Sequence, residues 1–272
     1  MDIQSIAFIF NRALSLTFSA KKLLLVFCCL ALSGLLVIFF RGIAWHAGQW
    51  VQLSLTFLPV FLCAGILLSL GILLIRIYYH EVKKREISYK EIFKNSWELI
   101  IGASYFAIPI ILTYLLLWML LGFFVLLKEI PAVGDFFGAI LAFAPFLVNL
   151  GTLILCLFSL ALLFFVAPAI ALNGINYATV FHVVIKRLEK DPFFNMLLIL
   201  IALIPLLLVV MLLTMAAIIT GSMCLTCHSL SQTIIRWFFV MLPFTAFLTP
   251  AVIFFFNFAA EAYALMHKYL RQ

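Results

Sequence analysis

Between Lys22 and Arg41 the chain reads LLLVFCCLALSGLLVIFF, eighteen residues without a charge or a proline. At about 1.5 Å of helical rise per residue, such a run covers most of the ~30 Å hydrocarbon core of a bilayer. Runs of this kind recur over about residues 23–41, 53–76, 99–127, 148–171, 193–220 and 237–259. In lipid no water satisfies a backbone N–H or C=O, so each run must be a helix. A membrane β-barrel would need short strands of alternating polarity, which the sequence lacks. Composition agrees: 67% of residues are hydrophobic, 10% are charged, and the mean hydropathy is +1.29. A soluble domain is nearer half apolar and a quarter charged. The fold class is therefore all-α, a polytopic membrane helical bundle of six transmembrane helices. The third run is long enough to tilt or to extend past the hydrocarbon. The segment 136–147, FFGAILAFAPFL, is too short to span and reads as an interfacial or re-entrant piece leading into the fourth run. The first run starts some twenty residues in and has no small-x-small cleavage site, so it reads as a permanent span.

Charge divides the connecting segments into two sets. One holds Arg12, Lys21, Lys22, Arg76, Lys83, Lys84, Arg85, Lys90, Lys94, Lys186, Arg187, Lys190, Lys268 and Arg271; the other holds only Arg41, Lys128 and Arg236. Basic residues are retained in the cytoplasm, so both termini are expected there and the loops near 42–52, 128–147 and 221–236 outside. This asymmetry accounts for the net charge of +7 without a nucleic-acid partner. The lipid bilayer is the expected partner, together with other membrane proteins or further copies of the chain.

Two segments on the basic side are alike: ISYKEIFKNSW, 87–97, and INYATVFHVVI, 175–185. A third, SIAFIFNRAL at 5–14, keeps the Ser, Ile9 and Phe10. Each precedes two spans. The expected organisation is three repeats of one cytoplasmic amphipathic helix plus two spans, over about 1–86, 87–174 and 175–272, in one membrane domain. Ser88 with Glu91 is a capping-box pattern, and Asn176 is an equally good N-cap. Beyond the caps, apolar residues recur at helical spacing, and Asp191-Pro192 closes the third copy. Helices with one apolar and one basic face lie on a membrane surface. Lys83, Lys84, Arg85, Lys90, Lys94, Lys186, Arg187 and Lys190 are the candidate lipid-interface residues.

This thrice-repeated pattern resembles a loose group of six-span bacterial inner-membrane families of unassigned function. It is similar also to the membrane domain fused to some glycerophosphodiester phosphodiesterases. VAPAIAL at 166–172 and TPAVIFFF at 249–256, each late in an even-numbered span, share in the likeness. The resemblance implies a multi-pass inner-membrane protein; it carries over no enzymatic residue. The Phe- and Cys-rich style is similar to membrane proteins of chlamydia-like intracellular bacteria.

Chemistry within the spans is sparse. Arg76, Glu98 and Glu261 lie near cytoplasmic ends, where snorkelling accounts for them. Asn149 and Asn257 are expected to bond between helices. No H-E-x-x-H, G-x-S-x-G or phosphate-binding loop occurs, so no catalytic residue, metal site or enzyme activity is expected. The prolines at 59, 109, 145, 168, 205, 243 and 250 suit broken helices lining a transport path, and equally suit ordinary packing. One motif remains. CLTCH, 224–228, is the pattern of c-type haem attachment and falls on the expected outer face. Cys224, Cys227 and His228 are thus a candidate haem or redox site, with a local disulfide or no special role as the alternatives. No cofactor is assigned. The sequence reads best as a non-enzymatic component that organises membrane or binds partners, with a small-solute or lipid transporter as the second reading.

Overall fold

A computed structural model of the chain describes residues 3–45, 47–84, 89–128, 134–174, 177–220 and 230–270. Among these the regular structure is helical, with no strand. In chain order the helices are α1 (Ile3–Ser15), α2 (Ala20–Ala44), α3 (Gln49–Val82), α4 (Tyr89–Ser104), α5 (Ile108–Lys128), α6 (Gly134–Asn173), α7 (Tyr177–Lys190), α8 (Pro192–Ile219) and α9 (Leu230–Leu270). Six stretches are long and apolar enough to cross a membrane. They fall in α2, α3, α4–α5, α6, α8 and α9, where the apolar runs lie.

Two boundaries differ from the sequence reading. The third run is broken at Tyr105–Ala107 between α4 and α5. There the N–H groups of Phe106, Ala107 and Ile108 reach back only three residues, to Ala103, Ser104 and Tyr105. Pro109 explains the position, since its ring would strike the carbonyl of Tyr105 in an unbroken α-helix. The segment 136–147 is not a separate interfacial or re-entrant piece: α6 runs through it without a break for 40 residues. A helix keeps its backbone bonds satisfied wherever it continues, so nothing local forces a turn. At its far end α6 stops on Gly174, whose φ of +84° favours glycine and whose N–H bonds to Ile170 O at 2.9 Å.

The spans sort into two layers. In α3, α6 and α9 the most apolar stretches are 56%, 50% and 44% buried, against 17%, 22% and 11% for α2, α4–α5 and α8. The inner three pack on one another. Outside them α2 lies against α3 and α9, α5 against α6 and α3, and α8 against α9. The shorter helices also lie on inner ones: α1 on α9, α4 on α3, α7 on α6. The shared core holds Ile72, Leu74, Phe164, Phe165, Phe254, Phe255, Phe256 and Phe258. Phe164 meets Phe255 edge-on, with ring centroids 5.8 Å apart, joining α6 to α9. α3 and α9 meet at Gly71, where an added Cβ would strike the Phe256 ring.

Hydroxyls within the spans mostly turn back on their own helices. Ser33, Thr113, Thr152, Ser159, Thr214 and Thr249 each donate to the carbonyl four residues earlier, at 2.7 to 3.0 Å. Asn257 does bond between helices: it is fully buried, and its Nδ2 donates to Ala13 O of α1 at 3.3 Å. Asn149 does not; it is exposed on α6 and makes no hydrogen bond among the described residues.

Candidate functional site

The polar side chains gather at the end of the bundle where most basic residues lie, and they fasten helix to helix. Lys22, in the first turn of α2, is fully buried. Its ammonium donates to Leu16 O at 2.7 Å and forms an ion pair with Glu81 of α3. Arg12 of α1 lies 3.4 Å from Glu261 of α9, and the same carboxylate oxygen accepts the Tyr78 hydroxyl at 2.7 Å. α1, α3 and α9 thus share one acidic group.

Arg76 is different. Its Nε donates to Ala171 O of α6 at 3.2 Å, and its Nη1 to Asn95 O and Ser96 Oγ of α4, each at 3.0 Å. No carboxylate lies within ion-pair distance among the described residues. The helix-terminal carbonyl at Ala171 lacks an intrahelical donor, so a guanidinium there meets a need of the α6 end. Arg76 opens onto a pocket of ≈620 Å³ between α3, α4, α6 and α9, walled also by Tyr79, His80, Asn95, Asn173 and Tyr263. Asn173 Nδ2 donates to the Tyr263 hydroxyl at 2.7 Å, closing one wall.

Behind Tyr263 sits Arg187, 2% exposed. Its guanidinium lies 4.8, 5.8 and 6.0 Å from the ring centroids of Phe165, Phe164 and Tyr263. Its Nε donates to Asn195 Oδ1 at 2.9 Å, and Asn195 Nδ2 returns bonds to Arg187 O and Asp191 O at 2.8 and 2.9 Å. Nη1 and Nη2 have no hydrogen-bond partner among the described residues. Burial pushes this guanidinium down to about 10, against a smaller opposing effect of Tyr263. It is still a cation at neutral pH. The aromatic faces stabilise it by about 2 kcal/mol in a site this dry.

Three residues thus depart from the sequence reading. Arg187 was expected among the lipid-interface cations, but it is inside, bridging α7 and α8 under an aromatic cage. Snorkelling accounts for Arg76 and Glu261 in the sequence reading, yet both bond to neighbouring helices; Glu98 is exposed. Of the other interface candidates, Lys83, Lys84, Lys94 and Lys186 are exposed. Arg85 lies outside the described residues, as do the side chains of Lys90 and Lys190. Cys224, Cys227 and His228 lie outside them too. Among the described residues no group of three His, Cys, Asp or Glu side chains is placed to hold a metal ion. Asn95, Asn173 and Tyr263 were not singled out from the sequence. Their only signal is position around Arg76, and that is invisible before the helices are packed. No protein-family model, curated protein or solved structure matches the chain.

Proposed function

We propose that the chain is a multi-pass component of a bacterial inner membrane that works by binding and not by catalysis. It organises lipid or holds a partner membrane protein, a second copy of itself included. The observation that carries this reading is the filled mid-section of the bundle. Among the described residues, two polar recesses lie at opposite ends: ≈620 Å³ beside Arg76 and ≈190 Å³ beside Arg41 and Trp45. Between α3, α5 and α6, among Ala64, Leu68, Ala107 and Ser159, the space is ≈10 Å³, about the least that one water requires. Beside it pack Phe164, Phe165 and Phe254, Phe255, Phe256 and Phe258 of α6 and α9. A solute carrier, the second reading, needs a polar path through this region, and the hydroxyls that could line one bond to their own helices.

The reading includes an organisation in three units, 1–86, 87–174 and 175–272, with both termini in the cytoplasm. Three observations support the units. Ile9, Ile92 and Val180, which occupy one position of the repeated sequence, are all buried, at 2%, 5% and 1% exposure. Each short helix lies on the inner helix that precedes it around a closed ring: α4 on α3, α7 on α6, α1 on α9. At two of these three contacts a polar side chain of the inner helix bonds to a carbonyl of the short one, Arg76 to Asn95 O and Asn257 to Ala13 O. Phe10 turns inward onto Phe254, with centroids 5.0 Å apart, while Phe93 and Phe181 are exposed, as a helix resting on lipid requires.

Accessibility of the mid-section tests the binding reading. In a chain with its six cysteines replaced, Ser159→Cys places one thiol in the middle of α6. Membrane-impermeant methanethiosulfonate applied to either side of sealed vesicles is expected to leave it unmodified. Modification from both sides would reveal a through-path and establish the transporter reading instead.

A further inference from the structure

We propose that the pocket walled by Arg76 is a binding site for a phosphate ester. Glu81 is committed to Lys22 and Glu261 to Arg12 and Tyr78, while Glu91 and Glu98 of α4 are exposed and form no ion pair with Arg76 among the described residues. Arg76 is left as a cation held in place by neutral groups alone. Its three hydrogen bonds use Nε and Nη1; Nη2 makes none among the described residues and stays accessible. The guanidinium is thus fixed in orientation with one donor group unspent, the condition for directional recognition of a phosphoryl oxygen. Asn95 lines the same space, and its side-chain amide makes no hydrogen bond among the described residues. A second cation stands at Tyr79: Lys83 donates to its hydroxyl and lies 4.2 Å from its ring centroid. Arg187 adds a third positive charge behind the Tyr263 wall, with no carboxylate within ion-pair distance among the described residues.

Size narrows the ligand further. A volume of ≈620 Å³ lies within the ~300–1,000 Å³ usual for small-molecule sites and exceeds what bare phosphate fills. The remaining volume leaves room for the organic part of an ester. The pocket opens where the apolar spans end, so this chemistry is available from an anionic lipid headgroup and from a soluble phosphate ester alike. The site does not depend on the three-unit organisation, because direct contacts among α3, α4, α6 and α9 define it.

Titration of the full chain, reconstituted in phosphatidylcholine nanodiscs, decides the matter. Calorimetry would measure binding of sn-glycerol 3-phosphate and of inorganic phosphate. Native mass spectrometry would count phosphatidylglycerol retained from mixed discs. Saturable binding of glycerol 3-phosphate identifies a soluble ester; retention of one phosphatidylglycerol per chain, without it, identifies a headgroup. Either result supports the site if Asn95→Asp weakens it about tenfold or more, since the new carboxylate neutralises Arg76. Asn95 is exposed, and Arg76 uses only its backbone carbonyl, so this variant keeps every hydrogen bond of the site. Arg76→Lys, which loses the fork, is expected to bind less tightly as well, and Arg41→Gln at the far end to bind as wild type. Thermal unfolding confirms that each variant is folded. Failure of all three probes to bind the wild type, or equal binding by Asn95→Asp, overturns the proposal.

Discussion

Arg187 carries a buried charge with one hydrogen-bonding side-chain partner and an aromatic surround. Removing half of such an arrangement is worse than removing all of it, because an uncompensated charge is left behind. Asn195→Leu is expected to lower stability by about 3 kcal/mol, since the guanidinium and the Arg187 carbonyl lose a partner together, while Asp191 O keeps the backbone N–H of residue 195. Arg187→Met combined with Asn195→Leu is expected to recover more than half of that loss, measured by thermal unfolding in detergent. The pH dependence follows from the same burial. A base whose folded value, about 10, lies below its ordinary value has its proton held more tightly by the unfolded chain between those two values. Stability therefore rises with pH through that window and is lowest, and flat, below it. Relative to Arg187→Met, the wild type is expected to gain stability between pH 9 and 11; a constant difference would show that burial does not penalise the charge. The sequence marked Arg187 as basic on a surface helix. It could not mark Phe164 and Phe165, more than twenty residues earlier, as the groups that cover it.

At the scale of elements, the apolar runs were legible because a bilayer demands a minimum length and tolerates few charges. Their ends were less so. Pro109 was visible, but whether a proline bends a membrane helix or breaks it depends on which neighbours satisfy the freed backbone groups. Glycine marks a closer constraint at Gly71. The Phe256 ring occupies the place of its missing side chain, so α3 and α9 are as near there as a glycine allows. Gly71→Leu is expected to cost about 1–3 kcal/mol by overpacking. Phe256→Leu in the same chain should restore much of that, because it vacates the space the new side chain needs. Additive losses in the two single variants and the double would mean that the helices do not meet at this pair.

For the whole molecule, orientation is the property that charge alone sets, and it is open to direct test. A fluorescent reporter fused after Gln272 is expected to be active and an alkaline phosphatase fusion there inactive, since the basic connections belong in the cytoplasm. The reverse pattern would invert every assignment of side. By itself the sequence determined that this chain is a helical protein with six membrane-length runs, because backbone groups in lipid have no other way to be satisfied. It suggested three similar units from ISYKEIF and INYATVF. It did not determine which spans lie inside. In water, buried and exposed faces differ in polarity, and the difference is written along a helix. In a bilayer the lipid tails are as apolar as leucine, so a face turned to lipid and a face turned to protein read alike. Only the packed structure decided that α3, α6 and α9 form the core and that α2, α5 and α8 surround them. The same packing gathered Arg76, Asn95, Asn173 and Tyr263, from four separate helices, around one pocket.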